Sequence, residues 1–209
     1  MAEPVRFDPS LRARVVDNLK SLTRHVVAPV DLCPAAVTLT LVPNDLGEAC
    51  FLLTRRSSKL ARHRGQFALP GGRLDAGETH VTAALRELHE ELGVLLPEGA
   101  VLGMLDDFRT RSGYVITPVV VWGEGVAELT PNPAEVARVY RVPLLELYHP
   151  DSPRLSPSGL SEAPVLSLPL VGTEVFSPTA AIIFQLREVA LEGRSTRVHH
   201  YDQPRFAWK

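Results

Sequence analysis

Residues 72–94 read GRLDAGETHVTAALRELHEELGV, and the spacing within this stretch decides how the rest of the chain is read. Across residues 79–92, Val81, Ala84, Leu85, Leu88 and Leu92 recur at helical spacing, so the segment predicts an amphipathic helix with one apolar stripe, stopped by Gly93. Glu87, Glu90 and Glu91 fall at i, i+3 and i+4, neighbours on the face opposite that stripe. Three carboxylates so placed repel one another unless a cation neutralises them, and carboxylate oxygens are the donors that hard cations such as Mg²⁺ prefer. Arg86 adjoins Glu87 and can orient one carboxylate. A glutamate-rich helix face alone is usually a solvated surface. Here its surroundings add weight: Gly71 and Gly72 permit close approach of backbone to a ligand, and Glu78 and Arg86–Glu87 follow at set intervals.

Working outward, apolar residues at spacings of three and four predict a helix over 10–27, capped by Ser10 and ended by Pro29 and Pro34. Residues 35–42 and 49–54 read as strands joined by the turn at 44–47, and 101–108, 114–122 and 136–142 as further strands. A short helix is expected at 143–148. The Pro- and Ser-rich stretch 150–172 predicts a long surface loop with one short strand. A second firm helix is expected over 178–192, burying Ile182, Ile183, Leu186, Val189 and Ala190; the last fifteen residues show no pattern. Strands before and after the central helix imply an α/β sandwich, a mixed sheet with helices on both faces.

The 209 residues suit a single domain, with its core at about 34–190, an N-terminal helix at 10–27 and a tail at 193–209. A charged fraction of 22% and a net charge of −2 give no general sign of nucleic-acid or membrane-surface binding. Cys33 and Cys50 form no CxxC pair, which argues against a zinc site and for free thiols in a reducing compartment. The start, MAEPVRFDPS, lacks a signal-peptide pattern, and no run of 18 apolar residues occurs, so a cytoplasmic location is expected. His89, His199 and His200 make no convincing ligand set.

Gly72, Glu78, Arg86, Glu87, Leu88, Glu90, Glu91, Gly93 and Val94 fill every fixed position of G-x5-E-x7-R-E-U-x-E-E-x-G-U, with U a bulky aliphatic residue. The stretch therefore resembles the Nudix box. That resemblance implies a Nudix-type α/β/α sandwich carrying a loop–helix–loop, and hydrolysis of a nucleoside diphosphate linked to another group with Mg²⁺ or Mn²⁺ as cofactor. By the same resemblance Glu87 and Glu91 are core metal ligands, Glu90 is a further ligand, and the backbone carbonyl near Gly72 completes the set. Arg86 orients Glu87, while Glu78 and Gly93 are structural. The general base is either a box glutamate or one from a later loop, for which Glu135, just before a predicted strand, is the candidate. Metal ions bridging a diphosphate neutralise its oxygens and activate a bound water, leaving the protein to position and stabilise.

Residues 52–72, LLTRRSSKLARHRGQFALPGG, add a second resemblance, to the segment preceding the box in coenzyme A diphosphatases. Leu52, Leu53, Thr54, Ser57, Leu60, Gly65, Pro70, Gly71 and Gly72 match that pattern; Ala61 replaces the usual Arg and Leu69 the usual Phe. From Arg55 to Arg73 the chain carries Arg55, Arg56, Lys59, Arg62, Arg64 and Arg73 with no acid between them, an anion-collecting run beside an acidic helix. The implied substrate is coenzyme A or a derivative, cleaved to 3′,5′-ADP and 4′-phosphopantetheine. Arg55, Arg56, Ser57, Lys59, Arg62 and Arg64 are the expected substrate-binding residues, and the 150–172 loop a candidate wall for the pantetheine arm. Two alternatives stay open: a Nudix hydrolase for ADP-ribose or another nucleoside diphosphate derivative, and a Nudix module that senses a nucleotide without cleaving it. The expected partner is a small molecule, with neither nucleic acid nor membrane involved and the oligomeric state left open.

Overall fold

β1 (Cys33–Pro43) is the strand about which the sheet is arranged. In the computed structural model, which describes residues 3–59 and 64–208, it pairs in parallel with β7 (Tyr114–Trp122) along nine residue positions, Cys33 to Leu41. Its other edge is shared. The end of β1 pairs antiparallel with β2 (Ala49–Arg56), and its beginning pairs antiparallel with β4 (Gly71–Arg73). β3 (Phe67–Ala68) pairs with the far end of β2. The two strands thus diverge, and the segment between β3 and β4 fills the gap, Thr38 N–H donating to the Pro70 carbonyl. β5 (Val101–Met104) and β6 (Phe108–Arg109) pair with β7, and β8 (Val136–Pro143) covers the outer edge of β2.

Alternation along these strands separates two apolar layers. Leu39, Leu41, Phe51, Leu53, Val120 and Trp122 face α1 (Pro9–Ser21) and α3 (Thr179–Gln185), whose Leu11, Val15, Ile182 and Ile183 join the same cluster. On the opposite face, Val42, Cys50 and Leu52 pack with Leu88 and Leu92 of α2 (His80–Leu92), and Ala36, Val119 and Val121 with its Ala83 and Ala84. This is the expected sandwich: a mixed sheet with helices on both faces. Both cysteines are free, and among the described residues no helix is long and apolar enough to cross a membrane.

The structure corrects several expectations. α1 ends at Ser21, well short of 27, and is capped by Asp8, whose Oδ1 accepts the Leu11 N–H at 2.8 Å, with Pro9 at the first turn. Residues 24–27 leave the helix because Asp106 and Asp107 offer their backbone better partners: Asp106 accepts the His25 N–H at 2.7 Å and Asp107 the Val27 N–H at 3.0 Å. The strand expected at 101–108 breaks between β5 and β6, where these two aspartates turn inward. The stretch 150–172 is mostly sheet. β9 (Arg154–Pro157), β10 (Pro164–Leu170) and β11 (Thr173–Phe176) pair antiparallel in that order, since Leu166, Leu168 and Leu170 alternate into the main core. The 178–192 helix is real, with all five expected residues buried, but widens into a π-helical turn over Leu186–Leu191. The short helix expected at 143–148 is a 3-10 helix, Leu144–Tyr148, and the tail ends in another at Arg205–Trp208.

Asp106 is fully buried and accepts hydrogen bonds from Arg197 at 2.6 and 2.8 Å and from the Gln185 amide at 2.7 Å, besides His25. Replacing it strands those donors, so Asp106→Ala is expected to lower stability by about 2–4 kcal/mol. Urea unfolding measures this, and a change under 0.5 kcal/mol, roughly what a surface substitution gives, would contradict the assigned network.

Candidate active site

The loop into α2 is folded by local polar contacts. Thr79 caps the helix, its hydroxyl accepting the Thr82 N–H at 3.1 Å while the Thr79 N–H donates to the Thr82 hydroxyl at 2.9 Å. Gly93 closes the other end at φ +71°, a left-handed conformation that disfavours a side chain. Arg86 then binds the loop to the helix. It donates to both Glu78 oxygens at 2.8 and 3.0 Å, to Glu87 Oε1 at 2.9 Å, to Glu90 Oε2 at 3.1 Å and to the Arg73 carbonyl at 3.0 Å. The hydrogen bonds from Arg86, then from the Asp75 N–H, hold the Glu78 carboxyl down at about 2.

Glu87 lies against Gly72: a Cβ built on that glycine would stand 2.2 Å from Glu87 Oε1. A side chain at this position would push the Glu87 carboxylate out of its place. Burial raises the Glu87 pKa against the pull of Arg86, and Glu90 and Glu135 add to the rise. Glu91, expected on the face opposite the apolar stripe, is only 3% exposed. It adjoins Leu92 on the border between the two helix faces, and the loop ahead of β8 roofs it, Asn132 N–H donating to the Glu91 carbonyl at 2.8 Å. Its nearest cation, Arg56 Nη1, is 3.9 Å away, beyond hydrogen-bond reach. Burial pushes the Glu91 carboxyl up to about 8; Glu87 and Glu135 add to the rise, while Arg56 and a hydrogen bond from the Gly71 backbone oppose it.

Glu135 is the later-loop residue, and the structure brings it to the box. Its carbonyl accepts the Ser57 N–H at 2.7 Å, its side chain the Asn132 amide at 3.3 Å, and its charge acts on both Glu87 and Glu91. Glu90 stands at the exposed rim. Among the described residues no three carboxylate, imidazole or thiolate groups already converge on one metal position, since Arg86 holds one oxygen each of Glu87 and Glu90. The donor set nonetheless fits a hard divalent cation. It is all oxygen, its carboxylates repel one another, and the most buried of them has a cation, Arg56, only at 3.9 Å, beyond hydrogen-bond reach.

A cleft of about 390 Å³ opens beside Gly71 and Gly72. Of the expected substrate-binding residues, Arg56 lines it. Arg55 is exposed and donates to the Gly65 carbonyl at 3.3 Å; Lys59 and Arg64 are exposed outside the lining. Ser57 is buried beneath the Lys59 N–H. Arg62, with Leu60 and Ala61 of the signature, lies outside the described residues. The 150–172 segment supplies no wall; Thr110 to Tyr114 and the C-terminal residues Gln203 and Ala207 do. Arg73, the last residue of the expected basic run, lines the cleft, and so does Tyr114, which sequence reasoning missed. The Arg73 guanidinium donates to the Tyr114 hydroxyl at 2.5 and 3.1 Å.

The NUDIX domain family matches residues 33–159, which include the whole box and the loop carrying Glu135. The chain belongs to this family. It is 41% identical over 113 residues to a Nudix hydrolase NudL of Photorhabdus laumondii, covering 54% of this chain and 59% of that one. It is 37% identical over 150 residues to Nudix hydrolase 3 of Caenorhabditis elegans, covering 68% and 62%. The chain thus spans about three fifths of the length of these curated relatives. A MutT/nudix family protein of Enterococcus faecalis shares the fold, with a TM-score of 0.54 at 19% identity over 78% of this chain and 65% of that one. The family match ends before β10, β11, α3 and the C-terminal wall of the cleft.

Burial of Glu91 carries a stability signature. Its folded pKa, about 8, stands above the ordinary 4.5, so the folded state holds this proton more tightly. Stability from this group is present below pH 4.5 and is lost as pH rises through about 8. Urea unfolding in chelator is expected to show the metal-free protein weakening by on the order of 1–3 kcal/mol from this group between those limits. Glu91→Gln should flatten that slope; equal slopes in both proteins would refute the assignment.

Proposed function

We propose that this Nudix protein is a divalent-metal-dependent hydrolase of nucleoside diphosphate derivatives, acting on coenzyme A or its derivatives. One observation carries the hydrolase reading: Glu87, from the helix, lies against Gly72, which lines the cleft, and the charges of Glu91 and of Glu135, from a distant loop, are coupled to it. Glu87 and Glu91, with Glu90 and the carbonyl near Gly72, would hold Mg²⁺ or Mn²⁺, which when bound neutralises the diphosphate and acidifies a water. Arg86 positions Glu87 through their 2.9 Å hydrogen bond. Glu135, held by Ser57 and Asn132, would take the proton of the attacking water. Arg56 and Arg73 line the cleft and can meet phosphate oxygens, while Arg55, Lys59 and Arg64 give the approach a positive charge. Coenzyme A, with a 3′-phosphate besides its diphosphate, suits such a cationic surround, and the residue 52–72 signature favours it. The two free thiols suit a reducing compartment, and we place the protein in the cytoplasm.

Incubation with coenzyme A and Mg²⁺ or Mn²⁺ should yield 3′,5′-ADP and 4′-phosphopantetheine, resolved by chromatography. Glu91→Gln should lower kcat by about 10²–10³, the scale of losing a principal electrostatic group. Turnover of ADP-ribose but not coenzyme A would overturn the substrate assignment and keep the hydrolase. Ligand binding without turnover would favour a sensing module. Glu135→Gln is expected to lower kcat by about 10²–10⁴ with metal affinity retained. A kcat within twofold of the unaltered protein would move the base to the box.

A further inference from the structure

Two residues on opposite sides of β1 are joined across it. Arg73 of β4 pairs with Ala35 of β1, and on the other side Ala35 pairs with Ile116 of β7. Residues paired in this way point to one face of the sheet, and Tyr114, two residues before Ile116, points there too. All four line the cleft. Ala35 ends in a single methyl, so the long Arg73 side chain can cross above β1 and reach Tyr114. The guanidinium carbon lies 5.3 Å from the centre of the Tyr114 ring, and Nε and Nη2 donate to the Tyr114 hydroxyl at 3.1 and 2.5 Å. The backbone is fixed as well, since the Arg73 carbonyl accepts from Arg86 at 3.0 Å. Arg73 directly follows Gly72, the cleft residue against which Glu87 lies.

The partner of this arginine sets it apart. Arg86, Arg111, Arg154 and Arg197 each hold a carboxylate at 2.5–2.8 Å, which cancels much of their charge. Arg73 is held by a neutral phenol, and among the described residues no carboxylate pairs with it. It is exposed at the cleft, so its charge is available to a ligand. A guanidinium carries five N–H donors in one plane. Tyr114 occupies the Nε side of that plane, and Nη1 has no partner among the described residues. The edge formed by Nη1 and Nη2 therefore stays open, and such an edge matches two oxygens of one phosphate.

We propose that Tyr114 is a positioning residue, which holds the Arg73 guanidinium across β1 so that its open edge binds one phosphate of the substrate's diphosphate. The inference rests on the nucleoside diphosphate reading above and deepens it. Tyr114 acts through Arg73. The pair contributes to binding of the ground state and the transition state alike, so it shows in KM and leaves kcat in place.

Calorimetry with Mg²⁺ and the non-hydrolysable α,β-methylene-ADP reads this binding without turnover. Arg73→Gln is expected to weaken it by about tenfold, and Tyr114→Phe, which keeps the ring and removes the hydroxyl, by about fivefold. In the Arg73→Gln background, Tyr114→Phe should change affinity by less than about twofold, because the group it positions is gone. In turnover, Tyr114→Phe should raise KM by about the same fivefold and keep kcat within about twofold. Unchanged binding in either single variant, losses that add in the double variant, or a loss confined to kcat would each overturn the proposal. So would a failure of the unaltered protein to bind the compound. Failure of the hydrolase reading would instead appear as absent turnover by a protein whose binding still follows this pattern.

Discussion

The guanidinium of Arg86 is the contact on which the arrangement of the site depends. Exposed ion pairs contribute little singly, but this one makes a bidentate fork to Glu78 and further bonds to Glu87, Glu90 and the Arg73 carbonyl. Its effect is positional. By holding the Arg73 carbonyl and Glu78 together it fixes the loop leaving β4, and by holding Glu87 it keeps that carboxylate against Gly72. β4 is in turn paired to β1, so the helix face carrying the glutamates is referenced to the central strand of the sheet. A lysine could supply the charge at this position but not the planar set of donors.

The second determinant is the divergence of β1 and β2. An uninterrupted pairing would leave no room for residues 66–73, and the glycines would have no cleft to border. Because the strands part, the segment carrying Gly71 and Gly72 enters between them, and the β8 side of the sheet brings Glu135 opposite α2. Glu91 is then enclosed in a place where its charge is disfavoured. That is a local loss of stability in the metal-free protein, and such losses gather where a protein binds or reacts.

The central elements could be read from the chain because each rests on local rules. β1, β2 and α2 show clear alternation or helical spacing, and the box singled out Glu78, Arg86, Glu87 and Glu91, which the fold brings close together. What escaped the reading depended on distant partners. The N-terminal helix stops early because Asp106 and Asp107, some eighty residues on, capture the backbone of His25 and Val27. β10 was hidden by its prolines, although Leu166, Leu168 and Leu170 alternate as a half-buried strand should. The burial of Glu91 was not legible, because a helical wheel cannot foresee the loop that covers it. The basic run overstated its place in the cleft, where Arg56 contributes and Arg55, Lys59 and Arg64 do not. Tyr114 and Gln203 carried no pattern at all, since only the fold brings them to the cleft.

The central claim is that Glu87 and Glu91 together form a site for one kind of ligand, a hard divalent cation. Titration with Mn²⁺ followed by electron paramagnetic resonance tests it without reference to any substrate. The account predicts saturable binding that Mg²⁺ displaces, weakened at least tenfold by Glu87→Gln or Glu91→Gln and unaffected by substitution of the exposed Lys59. Binding of equal strength in a folded protein lacking both carboxylates would contradict it.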